Sequence, residues 1–429
     1  MNKLCKLKIY IMGVLFIVSC GGAHNDDANT PLVIDIVAQQ FKQDAINIGS
    51  ISPRLDRLNS CLLAAKQINE VGGVLGKELN IVGFIATSTE QSTEFVKKML
   101  EVDIQAIELQ FSSRALAAAD FTVPAEKVLL ASTAQSTSIS NIADNDLVFR
   151  FQPRTDTISL ALAKLAFEKG GRKAVVIHNS DDIFGVSLFQ QFSEAFMSLG
   201  GEIVAEISFP IAKENGFDDE LRMLEASGAD VILNNMLMPS LAANFYNEAL
   251  NVNFEQYVHL TGNFTESALF TDNLVDASKV DGLLGLQSPR GNQLDENVKF
   301  YQASFAEQFD VTQGSFSNNV YDACQVAALA IERAGRENNT DTPTGLMIRN
   351  SLRAVMNPPG EIAGAVDIGA AFEILRSGGE IDFNGTYTHE WDEKGDLIGD
   401  LTFDISSFDG INLNWIISEQ FVIHVESNP

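Results

Sequence analysis

The sequence predicts an α/β fold built as two doubly wound parallel-sheet lobes, and three observations support it. From residue 45 onward, short β-like runs alternate with segments of helical periodicity. Such alternation is typical of parallel strands with helices on both faces of the sheet. The same rhythm restarts after Pro153, and the length of 429 residues exceeds one ordinary domain. Two lobes are therefore expected.

The first block of elements follows the helical and strand periods closely. Apolar residues recur at Leu58, Leu62, Ala65 and Ile68, and Gly72-Gly73 ends that helix. Predicted strands lie at 46–51, 79–85, 106–109 and 128–131. Predicted helices lie at 56–70, 89–100 and 115–122. Residues 150–153 then form a candidate crossing into the second lobe.

The second block repeats the pattern and ends in a β-rich stretch. Strands are predicted at 174–177, 203–209, 231–234, 257–260 and 282–286, with helices at 185–199, 218–226 and 240–250. Longer helices follow at 296–309, 318–334 and 344–354. The last predicted strands are 387–391, 401–405 and 413–417.

The N-terminus predicts an export signal. Lys3, Lys6 and Lys8 precede a short apolar run at 9–18, which is too short to span a membrane as a helix. The run leads into Cys20 with the spacing of a bacterial lipobox, so residues 1–19 are predicted as a lipoprotein signal peptide. The alternative is an ordinary signal peptide with an incidental cysteine. Residues 20–44 are polar at their start and are predicted as a tether.

The composition argues against several classes of protein. Asp and Glu number 57 against 29 Lys and Arg, which gives a formal net charge of −28. Without a basic surplus we expect no nucleic-acid partner and no adhesion to anionic lipid through a basic face. Membrane contact is expected through the lipid anchor alone. Five histidines leave little material for a metal centre, so neither a metal nor a cofactor is predicted.

The remaining cysteines and acidic doublets have ordinary structural interpretations. Cys61 and Cys324 fall in helical patterns. Two buried thiols are favoured, and a disulfide stays open because the sequence cannot show how close their Cα atoms lie. Asp181-Asp182 and Asp218-Asp219 are interpreted as surface turns. No zinc-protease, P-loop, dinucleotide or nucleophile-elbow motif occurs, so no enzyme and no catalytic residue is predicted.

Ligands of open α/β sheets bind beyond the carboxyl ends of the strands, so the turns there are the candidate site. Ser112 and Ser113 follow one strand, and residues 132–137 follow the next with a hydroxyl-rich turn suited to a small oxyanion. The second lobe instead offers Phe184, Leu237 and Asn263. We therefore expect polar anchors on one lobe and a more apolar lid on the other.

A set of motifs in the same order resembles the type 1 periplasmic solute-binding proteins, in particular the leucine/isoleucine/valine-binding branch. The stretch 64–76, Ser112-Ser113 with three alanines, and residues 132–137 are similar to that family's early landmarks. Residues 148–153 match its first interlobe crossing. Tyr321-Asp322-Ala323 and the turn at 391–396 match later ones. The resemblance covers residues 45 to about 408.

The resemblance implies two lobes that are joined by three crossings and close on a small ligand. Lobe 1 would comprise 45–152 plus 286–384, and lobe 2 153–285 plus 385–429. By position, Ser113, Ala134 and Ser136 would hold the carboxylate and ammonium of an amino acid. Phe184, Phe316 and Leu237 would pack on its side chain.

Two departures from the family pattern bear on the ligand. Asn263 stands where the amino-acid binders place a carboxylate for the ammonium. The loop before the first helix is short and lends no aromatic residue; there Arg54 or Arg57 could approach an acidic ligand, although solvated surface is the favoured interpretation. The sequence thus predicts a lipid-anchored protein of the bacterial envelope that binds a small organic ligand for an ABC permease. The alternative is a sensory or regulatory lipoprotein that binds a protein partner.

Overall fold

The fold is described from a computed structural model, which covers residues 39–262, 268–287, 295–387 and 390–426. The predicted signal peptide, the lipidation site Cys20 and the candidate contact Asn263 lie outside the described residues. The described end of the predicted tether packs on the first lobe, where Gln40 Oε1 accepts from the Gly83 amide at 2.8 Å.

The first lobe is built on a five-stranded parallel sheet in the order β2-β1-β3-β4-β5. Its strands are β1 (Ile46–Ser52), β2 (Leu79–Ile85), β3 (Ala106–Leu109), β4 (Val128–Ala131) and β5 (Val148–Arg150). The helices between them are α1 (Leu55–Glu70), α2 (Thr89–Met99) and α3 (Ser112–Thr122). Every residue of β1, β3, β4 and β5 is buried, as expected for strands covered by helices on both faces.

The second lobe is built on a seven-stranded sheet in the order β14-β13-β10-β9-β8-β6-β7. Its first strands are β6 (Lys173–Asn179), β7 (Glu202–Phe209), β8 (Val231–Asn235), β9 (Val258–Thr261) and β10 (Leu284–Gln287), which are mutually parallel. The helices are α4 (Thr155–Glu168), α5 (Ile183–Ser198), α6 (Asp218–Ala226), α7 (Pro239–Glu248) and the short α8 (Ala268–Thr271).

The chain then returns to the first lobe before completing the second sheet. Helices α9 (Glu296–Phe309), α10 (Ser317–Glu337), α11 (Gly345–Met356) and α12 (Ile368–Arg376) surround a small parallel pair, β11 (Glu361–Gly364) and β12 (Ile381–Asn384). The hairpin β13 (Gly399–Asp409) and β14 (Asn414–Val425) pairs antiparallel with β10 and forms one edge of the second sheet. These sheets confirm the predicted fold class.

A disulfide between Cys61 of α1 and Cys324 of α10 crosses the first lobe's core, with the two Cα atoms 5.5 Å apart. The prediction of two free buried thiols was therefore wrong. Both residues are fully buried. Their helices pack against each other in the hydrophobic cluster that covers one face of the first sheet, and this packing brings the sulfurs together.

Some predicted elements differ from the structure for physical reasons. The predicted strand at 387–391 was wrong for its described residues: Trp391 makes an isolated bridge with Leu397, and Tyr387 lies in a bend. Helix α4 was not predicted because its apolar residues run almost without interruption and hide the helical period. Tyr387, Trp391 and Leu397 pack beside the first sheet, although they follow residue 384, where the second lobe's last piece was predicted to begin.

Among the described residues, no helix is both long enough and apolar enough to cross a membrane. The described helices instead pack on the two sheets through four hydrophobic clusters, two in each lobe.

Candidate functional site

The carboxyl edges of the two sheets meet next to the first crossing. The Thr137 hydroxyl, after β4 of the first lobe, lies 3.1 Å from the Ser187 hydroxyl on α5 of the second. The Thr155 amide at the start of α4 donates to the Gln135 carbonyl at 2.8 Å. Because ligands of open α/β sheets bind beyond these edges, this region between the lobes is the candidate site.

A buried ion pair clamps two crossings together beside the site. Arg150, at the end of β5, lies 2.5 Å from Asp396, and both side chains are almost fully buried. The Arg150 amide donates to the Gly395 carbonyl at 3.0 Å, and the Trp391 indole donates to the Arg150 carbonyl at 2.7 Å. The same guanidinium reaches the Ser136 carbonyl at 3.2 Å. The hinge is thus linked directly to the hydroxyl-rich turn.

A polar cavity of about 210 Å³ opens between the lobes on this hinge side, with Thr137, Gln191 and Lys394 in its lining. Arg154 also lines the cavity, but its guanidinium is already held by Asp156 and Asp396. The charge of Arg154 is therefore balanced within the protein.

The two turns at the first lobe's edge are tied to each other by hydroxyl groups. Ser112 Oγ accepts from the amides of Gln135 and Ser136, both at 3.1 Å. Thr133 Oγ1 accepts in return from the Phe111 amide at 3.0 Å. Ser112, predicted as a ligand contact, therefore holds the turn that carries the other predicted contacts.

The remaining polar candidates differ in how available they are. Ser113 is half-buried and its hydroxyl has no hydrogen-bond partner within the described part of the chain. Ala134 and Ser136 are fully buried. The Ala134 amide donates to the Ala131 carbonyl at 3.3 Å, and Ser136 Oγ accepts from the Ser138 amide at 3.2 Å. The structure thus places Ser113, Ala134 and Ser136 at the same edge of the first sheet, and Ser113 is the most exposed of them.

The apolar candidates lie on both lobes. Phe184 is 7% exposed and packs in the second lobe's core. Its amide and that of Gly185 donate to Asp182, which caps α5 and is buried rather than a surface turn. Leu237 is half-buried, and its amide donates to Asn179 Oδ1 at 2.8 Å. Phe316 precedes α10 on the first lobe.

Arg57 is the main residue that sequence reasoning misjudged. It was expected to be solvated surface, yet it is only 6% exposed. Its Nε donates to the Ser315 carbonyl and its Nη1 to Gln110 Oε1, both at 3.0 Å. Arg54, in contrast, is half-exposed and pairs with Asp56, as expected for a surface residue.

Two aromatic rings flank this buried guanidinium. The Arg57 Cζ atom lies 5.8 Å from the Phe111 ring centroid and 5.1 Å from that of Phe316, within the range of cation–π attraction. Arg114 approaches the Phe111 ring as well, at 4.9 Å. The pKa of Arg57 is lowered to about 10, mainly by burial and in part by the positive charge of the neighbouring Arg54. Arg57 therefore stays a cation at neutral pH.

Glu108 lies beneath the same edge and is fully buried. It accepts from the hydroxyls of Ser50 and Ser132, each at 2.6 Å. Burial is the main cause that raises the pKa of its carboxyl to about 7, against these hydrogen bonds. Its negative charge is thus only partly present at neutral pH, and the edge carries a cationic excess that suits an anion.

The second lobe's edge presents an amide beside the helix cap Asp182. Asn235, the last residue of β8, is fully buried, and neither polar atom of its side chain has a hydrogen-bond partner among the described residues. A Cβ built on Gly262 would lie 3.9 Å from Asn235 Oδ1. An unpartnered buried amide is costly, so this side chain is suited to receive a polar group that enters between the lobes.

Within the described ranges, no cluster of three or more His, Cys, Asp or Glu side chains has the arrangement of a metal site. The polar groups at the candidate site are instead hydroxyls, amides and guanidinium groups, which bind small organic anions through hydrogen bonds.

Residues 56–370 match a protein-family model described as "Periplasmic binding protein". A search of curated proteins finds no match. Among solved structures, the chain is similar to a leucine binding protein, LivK, from Thermotoga maritima, at 17% identity and a TM-score of 0.70, covering 88% of this chain and 99% of that one.

Two further solved structures have the same fold. LivJ from Streptococcus pneumoniae, in complex with isoleucine, is 15% identical with a TM-score of 0.69, and the match covers 89% of this chain and 99% of that one. A solute binding protein from R. palustris, in complex with benzoate, is 14% identical with a TM-score of 0.68, covering 89% and 98%. At such identities the likeness establishes the architecture alone.

Proposed function

Because the chain belongs to the periplasmic binding protein family, we propose that it is an exported solute-binding protein that delivers a small organic ligand to an ABC importer. The ligand is an amino acid or a related carboxylate or amide. The observation that carries this proposal is the meeting of two carboxyl edges, one rich in hydroxyl and guanidinium groups and the other more apolar, with an amide that has no partner in the described part of the chain. Relatives in solved structures hold isoleucine or benzoate.

In this proposal the lobes 45–152 plus 286–384 and 153–285 plus 385–429 close on the ligand by rotation about the crossings. Ser113, Ala134 and Ser136 line the polar side with Ser112 behind them. Phe184, Leu237 and Asn263 come from the second lobe and Phe316 from the first. Closure would bring the second group over the first.

The proposal is tested by calorimetry and small-angle scattering on the mature protein. A screen of amino acids, amides and short or aromatic carboxylates should give heat with at least one compound, and that compound should reduce the radius of gyration. Ser113→Ala should weaken its binding about 5- to 10-fold, since one hydrogen bond is lost. Ser198→Ala, at the far end of α5, is the matched control. No heat with any compound, and no co-purified ligand in native mass spectrometry, would contradict the proposal.

We also propose that Cys20 carries the lipid that anchors the protein in the bacterial envelope. The support is the lipobox spacing in the sequence, together with the family's export to the envelope. Cys20→Ala should move the protein from the membrane fraction to the aqueous fraction and abolish labelling by radioactive palmitate. Cys5→Ala is the control. An unchanged membrane fraction for Cys20→Ala would refute the anchor.

A second candidate is a sensory or regulatory lipoprotein, and the edge hairpin favours it. Ile411 at the turn is 86% exposed, and Ile416, Ile417 and Val422 on β14 are more than half exposed. Exposed apolar clusters of this kind mark protein contacts. If the ligand screen fails while Ile416→Ser with Val422→Ser abolishes an envelope crosslink that the wild type makes, this candidate replaces import.

A further inference from the structure

Arg57 and Arg114 are buried arginines without an ion-pair partner among the described residues, and Arg57 is the more closely enclosed by aromatic rings. No carboxylate among the described residues lies within ion-pair distance of its guanidinium, whereas Arg150 and Arg154 are both paired with Asp396. The nearby Glu108 is bonded to serines. Asp56 and Glu108 attract the guanidinium without forming an ion pair with it. A buried charge that lacks a directly paired counter-ion is costly, so the Arg57 site can still accept an anion.

The guanidinium also keeps an unused donor edge. Arginine has five N–H groups, and only Nε and Nη1 of Arg57 find acceptors, at Ser315 and Gln110. No acceptor for Nη2 occurs within the described part of the chain. These acceptors and the first turn of α1 all lie at the carboxyl edge of the first sheet. The unused edge therefore lies where a ligand between the lobes would bind.

The two rings beside Arg57 are held in strained backbone positions. Phe111 has φ 67° and Phe316 has φ 65°, a left-handed region that non-glycine residues rarely adopt. Each precedes a helix, α3 and α10 respectively. Strain of this kind is retained where surrounding contacts over-determine it, and it clusters at ligand sites. The strain holds both rings beside the guanidinium.

We propose that Arg57 is the specificity-determining residue of the interlobe site and that the ligand is a carboxylate with a flat apolar body and no ammonium group. Its carboxylate receives hydrogen bonds from the Nη2 edge, and the rings of Phe111 and Phe316 flank its body. This inference rests on the proposed function. This ligand class replaces the zwitterionic amino acid, whose ammonium group would need a carboxylate. The described carboxylates at this edge already have partners: Asp56 pairs with Arg54, and Glu108 accepts from two serines.

The net charge at the edge supports the same ligand class. Arg114 also lacks an ion-pair partner among the described residues, and its Nη1 donates to the Ala86 carbonyl at 2.8 Å. With Arg57 it leaves two cations around the Phe111 ring. An ammonium group would be repelled there, whereas a carboxylate would be attracted.

The test is calorimetry with benzoate as the probe, benzamide as its neutral isostere, and leucine and phenylalanine as zwitterions. Benzoate should bind at least 10-fold more tightly than the other three. Arg57→Gln should weaken benzoate about 10- to 100-fold, the range of one charged hydrogen-bonded contact. Lys66→Gln removes an exposed positive charge more than two turns further along the same helix, and its benzoate affinity should stay within about twofold.

A second variant separates recognition from a folding defect. Phe316→Leu keeps an apolar side chain and should reduce the preference for benzoate over cyclohexanecarboxylate about 3- to 10-fold. Tight binding of leucine that Arg57→Gln does not alter would overturn this inference and leave the proposed function intact. Failure of every carboxylate, amide and amino acid to bind would overturn the proposed function as well. Circular dichroism checks that each variant is folded.

Discussion

The two carboxyl edges that face each other differ in how their polar groups are used. At the first lobe's edge, hydroxyl groups join the two turns by hydrogen bonds, and two arginines flank the Phe111 ring. The second lobe's edge carries Phe184, Leu237 and an amide, Asn235, that has no partner within the described ranges. The first edge is therefore cross-linked by hydrogen bonds and carries two arginines without ion-pair partners among the described residues, whereas Asp182 at the second edge is engaged as the cap of α5. A ligand's charged end is best recognised on the first.

The cores of the two lobes differ in a parallel way. The first lobe holds a disulfide and, among its described residues, three fully buried carboxyls, Glu108, Asp322 and Glu332. The second lobe is held by a cluster of aromatic rings around Tyr246. The first lobe thus depends on its redox state and on two carboxyls that burial keeps protonated near neutral pH, whereas the aromatic cluster of the second lobe depends on packing and one neutral hydrogen-bond chain. The following three predictions test this difference.

Removing the disulfide should have the largest effect, and it should be confined to the first lobe. Cys61→Ala with Cys324→Ala should cost about 2–5 kcal/mol of unfolding free energy, the range for loss of a native disulfide. Hydrogen exchange should rise in α1 and α10 and stay unchanged in β6 and β8. A reductant should affect the wild type and not the double variant. An equal rise of hydrogen exchange in both lobes would contradict the idea that the disulfide stabilises the first lobe alone.

The stability of the first lobe should also fall as the pH rises. Burial, partly offset by hydrogen bonds from Ser132 and Ser50, raises the pKa of Glu108 to about 7. The folded state therefore holds the proton more tightly than the unfolded state, whose pKa is near 4.5. This contribution is fully present below that unfolded value and is lost as the pH rises through about 7.

Between pH 5 and pH 8 the loss from Glu108 should be on the order of 2 kcal/mol. Glu108→Gln should show correspondingly less change in urea unfolding between these two pH values. Burial likewise raises the pKa of Asp322 to about 7. Asp322 is still present in that variant, so its free energy of unfolding should keep part of its dependence on pH. An identical pH dependence in wild type and Glu108→Gln would contradict the assignment.

Removing one hydroxyl from the second lobe's aromatic cluster should have the smallest effect. Tyr246 Oη accepts from Asn234 Nδ2 at 2.9 Å and lies 2.7 Å from His259 Nε2. Burial lowers the pKa of His259 to about 3, so its ring is neutral. Tyr246→Phe leaves two buried groups unpaired and should cost about 1–3 kcal/mol. Tyr257→Phe, at a half-buried position, should stay within about 0.5 kcal/mol in the same thermal unfolding measurement.

Elements with strong local signals could be predicted from the sequence. The predicted bounds of α6 and α9 agree with the structure, because the helical period and polar flanks mark both ends. Helix α4 was missed because burial on several sides removes the period. Trp391, the last residue of a predicted strand, pairs only through a bridge with Leu397. The path of the chain between the lobes, which the local sequence does not specify, decides what lies beside it.

For the site, the sequence predicted the location better than the roles. Ser112 and residues 132–137 do lie at one edge, as the rule for parallel sheets requires. Arg57 was named with Arg54 as an alternative contact for an acidic ligand, but solvated surface was favoured, because its burial depends on Phe111 and Phe316, which lie far along the chain. The pairing of Cys61 with Cys324 likewise depends on how α1 packs against α10, which no local pattern reports.

The bond between Cys61 and Cys324 joins residues 263 positions apart, and the covalent ring that it closes contains strands β2 to β10. A protease that cuts any one loop of the second lobe between β6 and β10 therefore opens the ring without dividing the molecule. On a gel the nicked protein keeps its full mass until a reductant is added, and then it separates into two fragments. The two fragments of a protein cut once in the second lobe thus stay joined through the disulfide in the first lobe.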